Sequence, residues 1–540
     1  MVRMLSVRTS SEILNMSNYE AEWQFDAADL ALVRGTLESR HELGGFQLRR
    51  ARTRELTDCY LDTPDARMAH AGFALRLRSE GARSEATLKS LRAEGSDPMV
   101  RKEYRQPVDG SSIATLLAEM GPVSDRTRAV IGEQPLRLLL KAQTHRDVYQ
   151  VMDGEVEAAE IDLDETRFGE AGDVGAPLQR VEVEVRAASA ASLRPLLEGL
   201  RDVASLVPAT RSKLESGLAA SGEALPVVGD VAPLLIAASM SAVAVGQALL
   251  QRYIAAWRSM EPAVRLGEDP EALHQLRVTG RRMIAALRLS EAASLGGALG
   301  LRRRLQSLLR RLGTARDLDV QRAELEEVRK TLAGAELEPA IRELNALRAA
   351  CQRRLLRLLG SPQAQRLLAA LEALSRRTPA RQRHIAIGVV APGLLRHHYR
   401  RLRRRARRAI AQGTVEDCHQ LRLEAKKLRY IAEPLVALYG APLQRFLRRL
   451  QKLQTVLGRM NDSHHAMLSF ERIAHRRRRL PVAAIFAMGR AAERQRRQFE
   501  DSLKAVGEAW QRVRGRSWRR LRRSLEEQQR TSEPLAPTAG

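Results

Sequence analysis

The sequence predicts a two-domain α+β protein, in which a β-rich N-terminal part precedes an all-α, internally duplicated C-terminal part. Short stretches of the first 220 residues alternate between apolar and polar side chains, which is the pattern of strands. Segments of the C-terminal part recur at an offset of 145 residues, which indicates a duplicated unit. Residues 1–220 hold 29 Lys and Arg against 35 Asp and Glu, a net charge of −6. The whole chain has a net charge of +26, so the other 320 residues carry +32. A strongly basic C-terminal domain favours a polyanionic partner.

The alternating stretches of the N-terminal part place charged side chains on one face of each predicted strand. Glu182 and Glu184 alternate with valines, and Arg76 and Arg78 alternate with apolar residues. Similar runs contain Glu20, Glu22, Lys89, Arg101, Glu103, Arg105 and Arg146. The solvated face of an open antiparallel sheet explains any single pair. Separate acidic strands and separate basic strands also fit a sheet that closes into a barrel with a charged lumen.

The C-terminal duplication is clearest in the tetrapeptide His-Gln-Leu-Arg, which occurs at residues 274–277 and again at 419–422. The same offset relates Arg-Arg-Leu-Gln at 303–306 to 448–451, Leu-Gly at 312–313 to 457–458, and Asp317 to Asp462. On a helix, Arg277, Arg281 and Arg288 share a face with His274, and the second copy has Arg422 and Lys426 there, with Lys427 matching Arg282. Each copy therefore predicts a helix with a basic stripe, for which a solvated surface is the alternative explanation.

The repeated Leu-Gly pairs predict two helix ends. We expect Gly313 and Gly458 in the left-handed conformation that closes a helix. Asp317 and Asp462 are then expected to cap the helices that follow. These residues are assigned to structure and not to binding.

The basic stripe and the segment that follows it resemble a known family. His-x-x-Arg followed by paired cations, and then Leu-Gly-x-x-Arg-Asp-x-Asp-Val from Leu312 to Val320, resemble the CHAD domain over about residues 230–525. The resemblance implies a duplicated helical bundle that binds inorganic polyphosphate along a basic groove. It implies binding by His274, Arg277, Arg281, Arg282, Arg303, Arg304, His419, Arg422, Lys426, Lys427, Arg448 and Arg449. In the second copy Asn461 and His464 replace Arg316 and Asp319, so we expect the copies to be alike in structure and unequal in binding.

The N-terminal part resembles a second family. Tyr19-Glu20-Ala21-Glu22, the run Tyr-Leu-Asp-Thr-Pro-Asp at residues 60–65, Thr87-Leu88-Lys89 and Glu182-x-Glu184 are similar to the CYTH domain over about 200 residues. The resemblance implies the triphosphate tunnel fold, an eight-stranded antiparallel β-barrel whose lumen holds phosphates and Mg²⁺ or Mn²⁺. The implied metal ligands are Glu20, Glu22, Glu103, Glu182 and Glu184, and the implied phosphate-binding cations are Arg76, Arg78, Lys89, Arg105, Arg146 and Lys213. Candidate catalytic residues are Glu20, Glu22, Arg76, Arg78, Lys89 and Lys213.

One residue departs from the second family's pattern. The family opens with Glu-x-Glu-x-Lys, whereas this chain has Gln24 in place of the lysine. An amide keeps a hydrogen-bond donor and loses the charge. Metal-dependent hydrolysis of triphosphate is therefore less strongly implied than binding of the anion.

Composition suggests where the domains begin and end. We expect a disordered leader at residues 1–17, with Met4 or Met16 as alternative starts, a CYTH-like domain at 18–218, a linker at 219–230, a helical domain at 231–528 and a disordered tail at 529–540. The uncharged segment 231–251 has the length of a membrane span, but apolar residues at steps of three and four predict a buried first helix. Seven arginines within residues 400–408 are expected either to line the polyanion groove or to form a solvated face.

Three functions remain open at this point. The first is a polyphosphate-binding protein whose tunnel also binds and hydrolyses triphosphate, and the second is a non-enzymatic polyphosphate scaffold. The third is a nucleic-acid binder. An aromatic content of 4% and the lack of a recognisable major-groove module argue against it. Three widely spaced cysteines favour the cytoplasm, and we expect no membrane partner. The CHAD resemblance implies association with polyphosphate granules. The metal, the natural substrate and the oligomeric state are left open.

Overall fold

The computed structural model describes residues 18–532 except for 94, 96, 171, 173, 205, 227–233, 294, 331–336, 378–384 and 477–480. The chain divides into two compact units between Val228 and Gly229. The predicted leader, the last part of the predicted linker and the end of the predicted tail lie outside the described residues.

The N-terminal unit is a ring of antiparallel strands. Its strands are β1 Tyr19–Asp26, β2 Glu42–Leu43, β3 Phe46–Asp62, β4 Phe73–Glu80, β5 Arg83–Ser90, β6 Met99–Val108, β7 Arg137–Asp153, β8 Val156–Phe168, β9 Val174–Val185 and β10 Val207–Pro208. Eight of them pair in the order β1-β6-β5-β4-β3-β7-β8-β9, and β9 pairs back with β1. The predicted eight-stranded antiparallel fold is confirmed. Because the ring closes, alternate residues of every strand face one lumen.

Six helices accompany the ring: α1 Leu30–Ser39, α2 Arg67–His70, α3 Ile113–Ala118, α4 Pro122–Ile131, α5 Arg194–Ala204 and α6 Lys213–Ala220. The last of them places a cation in the lumen. A capping box between Ser212 and Glu215 begins α6, so Lys213 is its first residue. Leu214 and Leu218 then pack against the apolar residues of β3, β7 and β8. This packing holds Lys213 buried inside the ring.

The C-terminal unit is entirely helical in its described part. Its helices are α7 Ala242–Leu266, α8 Pro270–Ala292, α9 Ala298–Arg311, α10 Gly313–Arg329, α11 Glu338–Leu359, α12 Pro362–Arg376, α13 Ile387–Gln412, α14 Val415–Ala432, α15 Val436–Arg476, α16 Val482–Arg512 and α17 Trp518–Ser532. One apolar core, containing Trp257 from the first repeat and Phe446 from the second, extends through both repeats. The predicted all-α architecture is therefore confirmed.

The backbone repeats the 145-residue offset seen in the sequence, because α7 and α13 begin 145 residues apart, as do α8 and α14. Where the repeats meet, the amide of Ala242 donates to the carbonyl of Ile385 at 2.9 Å, and the amide of Ile387 donates to the carbonyl of Met240 at 2.8 Å. The offset converts each of these bonds into the other. The repeats are therefore related by a pseudo-two-fold axis, as in an isologous dimer.

Two predictions about helix boundaries were wrong. The first helix begins at Ala242 and not near Val231, because residues 240–242 use their backbone groups to bridge the repeats. Gly313 is the first residue of α10, and Gly458 lies inside α15, so neither ends a helix in the left-handed conformation. The helices α6 and α17 also extend to Ala220 and Ser532, beyond the expected domain ends. Over the part of the chain that the structure covers, no helix is both long and apolar enough to span a membrane.

Candidate functional site

The lumen of the N-terminal unit has an acidic wall and a basic wall. Most of the acidic residues come from β1, β9 and β8, which are neighbours in the ring, and most of the basic residues come from β6, β5 and β4, which are also neighbours. The acidic wall carries Glu20, Glu22, Glu182, Glu184, Glu160, Asp162 and Asp164, and the basic wall carries Arg105, Lys89, Arg76 and Arg78. Strand order thus gathers charges of one sign that lie far apart in the sequence.

Strand register brings carboxyl groups of the acidic wall side by side. Glu22 lies opposite Glu184, which lies opposite Glu160 on the next strand. Like charges directly opposite each other repel. Burial, together with the charge of Glu20, raises the pKa of Glu184 to about 8, and burial also raises the pKa of Glu22. Arg186 offsets part of this repulsion, because its Nη1 lies 2.7 Å from Glu184 Oε1 and its Nη2 lies 2.9 Å from Glu160 Oε1.

Lys89 lies where the two carboxylates of β1 converge. Its Nζ atom is 2.5 Å from Glu20 Oε2 and 2.7 Å from Glu22 Oε1. Against the opposing effect of burial, Lys89 and Arg105 lower the pKa of Glu20 to about 2. Arg105 Nη2 also lies 2.9 Å from Glu103 Oε2. The predicted metal ligands and the predicted phosphate-binding cations are thus paired with each other.

A second charged group surrounds Glu182. Arg146 Nη2 is 2.9 Å and Lys213 Nζ is 3.5 Å from its carboxylate, and both cations also bind Asp164. The amide of Gln24 donates to Glu182 Oε1 at 3.2 Å, which is the oxygen nearest to Lys213. Lys213 therefore brings a positive charge next to the neutral residue that stands in place of the family's lysine.

On the basic wall, Arg78 makes a bidentate ion pair with Asp58 at 2.7 and 2.8 Å. Arg76 Nη1 lies 3.9 Å from the same carboxylate, and its Nη2 lies 3.8 Å from Glu103. Although burial opposes it, the two arginines lower the pKa of Asp58. Asp58 thus orients both arginines.

Four buried lumen acids were not predicted from the sequence: Asp58, Glu160, Asp162 and Asp164. Three of them were detectable, because Glu-Ile-Asp-Leu-Asp at residues 160–164 alternates in the same way as the run that contains Glu182. Asp58 gave no such signal, since only the pairing of β3 with β4 places it opposite Arg78.

The acidic wall has the donor chemistry that a divalent cation requires. Mg²⁺ and Mn²⁺ prefer carboxylate oxygen, and Asp162 Oδ1 is a buried oxygen without a hydrogen-bond partner. Among the residues that the structure describes, no three His, Cys, Asp or Glu side chains are already arranged as metal ligands. The reason is the pairing of Glu20, Glu22 and Glu103 with Lys89 and Arg105. The carboxylates suit a divalent cation once Lys89 and Arg105 bind another anion instead.

The pKa values of the acidic wall predict that Mg²⁺ stabilises the protein more at about pH 8.5 than at about pH 6. The folded-state pKa of Glu184, about 8, is raised above its ordinary value. Its stabilising contribution is therefore complete below about pH 4 and is lost as pH rises through about 8. A cation binds the deprotonated form and restores that loss. Thermal unfolding at both pH values, with and without Mg²⁺, measures the difference.

The matched variants for this experiment are Glu184→Gln, which should remove most of the Mg²⁺ effect at high pH, and Glu42→Gln on the exposed strand β2, which should keep it. An equal Mg²⁺ effect at both pH values would show that the cation binds away from the acidic wall.

The helical unit gathers positive charge where the repeats meet. Arg281 and Lys426 occupy equivalent positions, and Arg281 is among the charges that act on Lys426. A residue that faces its own equivalent lies at the two-fold axis. We name His274, Arg277, Arg281, Arg316, Arg422 and Lys426 the axial cluster. Its members come from α8, α10 and α14, and all are half-buried.

The electrostatics of the axial cluster are unbalanced. Burial, together with Arg422, Arg281 and Arg429, lowers the pKa of Lys426 to about 7. Burial and the charges of Arg316, Arg281 and Lys426 lower the pKa of His274, although Glu271 opposes them. Within the described residues, neither Arg281 nor Lys426 forms an ion pair. The cluster therefore has the charge pattern of an anion site.

The glycines of the repeated Leu-Gly pairs lie against the axial arginines. A Cβ atom on Gly313 would be 2.8 Å from Arg277 Nη1, and one on Gly458 would be 3.9 Å from Arg422 Nη2. The neighbouring Asp317 acts on Arg277, and Asp462 Oδ1 is 4.0 Å from Arg422. Both aspartates lie inside their helices, α10 and α15, so their predicted capping role was wrong. Gly313 leaves room for Arg277, whereas a Cβ atom on Gly458 would make only an ordinary contact with Arg422.

Other predicted polyphosphate residues lie outside this cluster. Arg282 lies 3.7 Å from Glu433, and Lys427 lies 2.8 Å from Glu424, so each is near an acid. His419 Nδ1 is 3.0 Å from Asn461 Oδ1, whereas the equivalent His274 faces Arg316. Four predicted residues, Arg303, Arg304, Arg448 and Arg449, are exposed. Their roles in binding remain predictions.

We expect Gly313→Ala to weaken binding of inorganic polyphosphate several-fold without destabilising the fold. The added methyl group displaces the flexible end of Arg277, while alanine is compatible with the first position of the helix. Gly458→Ala should have a smaller effect, because its nearest atom is already at ordinary contact distance. Titration of labelled polyphosphate measures the change.

The control is Gly300→Ala, since no atom lies within 4 Å of the added methyl group. Equal binding by Gly313→Ala and Gly300→Ala would mean that the position of Arg277 does not matter.

Two domain-family models match this chain, one in each unit. A model of the CYTH domain matches residues 32–215, and a model of the CHAD domain matches residues 248–471. An uncharacterised protein of Mycobacterium tuberculosis is 27% identical over 438 residues, which cover 76% of this chain and 80% of that protein. The CHAD domain of the plant Ricinus communis is 24% identical, with a TM-score of 0.45, and covers 54% of this chain and 98% of its own. A Hippeastrum protein reported to have a dominant triphosphatase activity is 22% identical, with a TM-score of 0.29, and covers 38% of this chain and 98% of its own. The chain therefore contains a CYTH domain followed by a CHAD domain.

Proposed function

We propose that this chain binds inorganic polyphosphate at the axial cluster of its CHAD domain and inorganic triphosphate, with Mg²⁺ or Mn²⁺, in the tunnel of its CYTH domain. The observation that carries the proposal is the half-buried, unbalanced positive charge at the axis. Holding Arg281 opposite Lys426 costs free energy, and a polyanion that enters the cluster removes this cost. The polymer thus supplies negative charge that the described residues around the axial cluster lack.

The pseudo-two-fold axis also favours polyphosphate over nucleic acid. Inorganic polyphosphate has the same structure when read from either end, whereas a nucleic-acid strand has a direction. The axial cluster presents Arg277 with Arg281 from one repeat and Arg422 with Lys426 from the other, related by the axis. A polymer without direction makes equivalent contacts with both halves. The half-buried setting further suits a thin, flexible chain.

In the tunnel, binding is an exchange of partners. Lys89 and Arg105 of the basic wall, together with Arg146 and Lys213, leave carboxylates and take phosphate oxygens. The released carboxylates Glu20, Glu22, Glu103 and Glu182, together with Glu184, would then hold the divalent cation. When bound, that cation neutralises charge on the phosphate and orients water for hydrolysis. Asp58 keeps Arg76 and Arg78 oriented throughout.

A non-enzymatic scaffold is the second candidate, and Gln24 is the observation that favours it. Lys213 lies beside Gln24 around Glu182, but it is held by Asp164 in a buried ion pair. A cation committed to a buried carboxylate stabilises a phosphoryl group less than a free one does. Slow hydrolysis or none is therefore expected from the tunnel.

The first test concerns charge and pH at the axial cluster. Neutralising Arg277, Arg281, Arg422 and Lys426 together should weaken polyphosphate binding strongly and lower its salt dependence. In the unaltered chain, affinity should fall as pH rises from about 6 to 8.5, because Lys426 loses its proton near pH 7 and the anion prefers the charged form. Lys426→Arg should flatten this dependence, since arginine stays protonated. Titrations across pH and salt measure both effects.

A pH profile that persists in Lys426→Arg would assign the titration to a histidine such as His274. Full binding by the quadruple variant would refute the axial site.

The second test concerns the tunnel. Gln24→Lys should raise triphosphate hydrolysis on the order of a hundredfold, because a charged contact to a transferring phosphoryl group contributes a few kcal/mol. Glu22→Ala should abolish the metal dependence in both backgrounds. Release of phosphate from triphosphate with Mg²⁺ or Mn²⁺ is the measurement. Fast hydrolysis by the unaltered chain, without gain from Gln24→Lys, would show that Lys213 already supplies the charge and would exclude the scaffold.

A further inference from the structure

The two repeats differ sharply in the charge of their outer helices. α13 and α7 occupy equivalent positions, yet α13 carries eight arginines and no acidic residue, whereas α7 carries three arginines and one glutamate. α17 packs on α13 and α15 as α12 packs on α7 and α9. It carries five arginines, against two on α12. Since the same helix packing forms with few charges in the first repeat, the fold does not require the arginines of the second.

The arginines of α13 are available to a ligand. Leu395, Leu402, Ala406 and Ala409 bury one side of the helix. The opposite side exposes four arginines, which we name the α13 face: Arg400, Arg403, Arg404 and Arg407. None of the four forms an ion pair with any residue that the structure describes. A face that merely solvates the helix needs no such excess of one sign, and like charges one turn apart destabilise the helix.

Ion pairs join α13 to α14, the helix that carries Arg422 and Lys426 of the axial cluster. Arg401 on α13 and Lys427 on α14 meet at Glu424, at 3.0 and 2.8 Å. Two turns further along α13, Arg408 reaches Asp417 of α14 at 2.7 Å. Lys427 directly follows Lys426, so the seam between α13 and α14 begins beside the axial cluster.

The positive charge continues beyond α13. The rings of Tyr399 on α13 and Trp518 on α17 stack with centroids 3.5 Å apart. Burial raises the pKa of Tyr399 to about 12, and the opposing charges come from Arg403 and Arg514, which precedes α17. Arginines of two separate elements therefore approach each other here. The exposed Arg519, Arg520 and Arg523 of α17 extend the same charge.

We infer that polyphosphate held at the axial cluster leaves it over the second repeat only, along the α13 face, so that this chain binds long polyphosphate in preference to short. The inference rests on the proposed function of the axial cluster. A short chain fills the axial cluster alone. A longer chain also reaches the arginines of the α13 face, and their effective concentration is high because the chain is already held at the axial cluster. The equivalent helices of the first repeat, α7 and α12, carry only three and two arginines and offer no matching row of charge.

The test compares chains of about ten and about a hundred phosphates on the full-length protein, by titration at several salt concentrations. Arg400, Arg403, Arg404 and Arg407 are changed together to Gln, which should weaken long-chain binding about tenfold and lower its salt slope, because each phosphate contact releases counterions. Short-chain binding should change less than about twofold. The matched control changes four exposed arginines of the first repeat to Gln: Arg342, Arg353, Arg354 and Arg366. It should leave long-chain and short-chain binding unchanged.

The remaining outcomes separate the two proposals. If the quadruple axial variant still binds both lengths, the proposed function fails. If that variant loses both but the α13 variant binds long chains normally, only the inference fails. Loss of duplex DNA binding by the α13 variant, with long-chain binding unaffected, would make this face a nucleic-acid surface and overturn the inference. Equal weakening for both lengths would make the face part of the axial site and overturn the length preference.

Discussion

Repulsion between like charges held side by side is the constraint on which both units depend. In the ring, Glu22, Glu184 and Glu160 lie opposite one another on three adjacent strands. In the bundle, Arg281 faces Lys426 across the pseudo-two-fold axis. Charges in such settings are only partly screened by water, so their repulsion opposes folding. Each unit needs a feature of its fold that keeps these charges in place.

The two units meet this constraint differently. The ring places counter-charges within the same lumen, so that Lys89, Arg146 and Lys213 neutralise part of the acidic wall. The bundle places few acids near its axis and relies on the apolar core that both repeats share, including Leu276 and Leu421 beside the basic residues. The tunnel is therefore a site for a ligand of mixed charge, such as a metal with a phosphate. The axial cluster suits an anion alone.

Duplication explains how an unfavourable cluster persists. A basic stripe on one helix is an ordinary solvated surface, and two copies joined in one chain bring two stripes together at the axis. The copies have since diverged, because Asn461 holds His419 where Arg316 faces His274. Divergence is stronger at the outer helices, where α13 is far more basic than α7. The axis is thus nearly symmetric while the surface around it is not.

The sequence by itself determined the fold class, the duplication and most of the charged positions, because strand alternation, helical spacing and a fixed offset are local or linear signals. The run at residues 160–164 carried the same alternation as Glu182 and was detectable by it. Only the tertiary structure decided which charges meet. Asp58 pairs with Arg78 through the pairing of β3 with β4, and Gly313 makes room for Arg277 through the packing of α10 on α8. A glycine that ends a helix and a glycine that seats an arginine read alike in sequence, because what distinguishes them is a side chain thirty-six residues away.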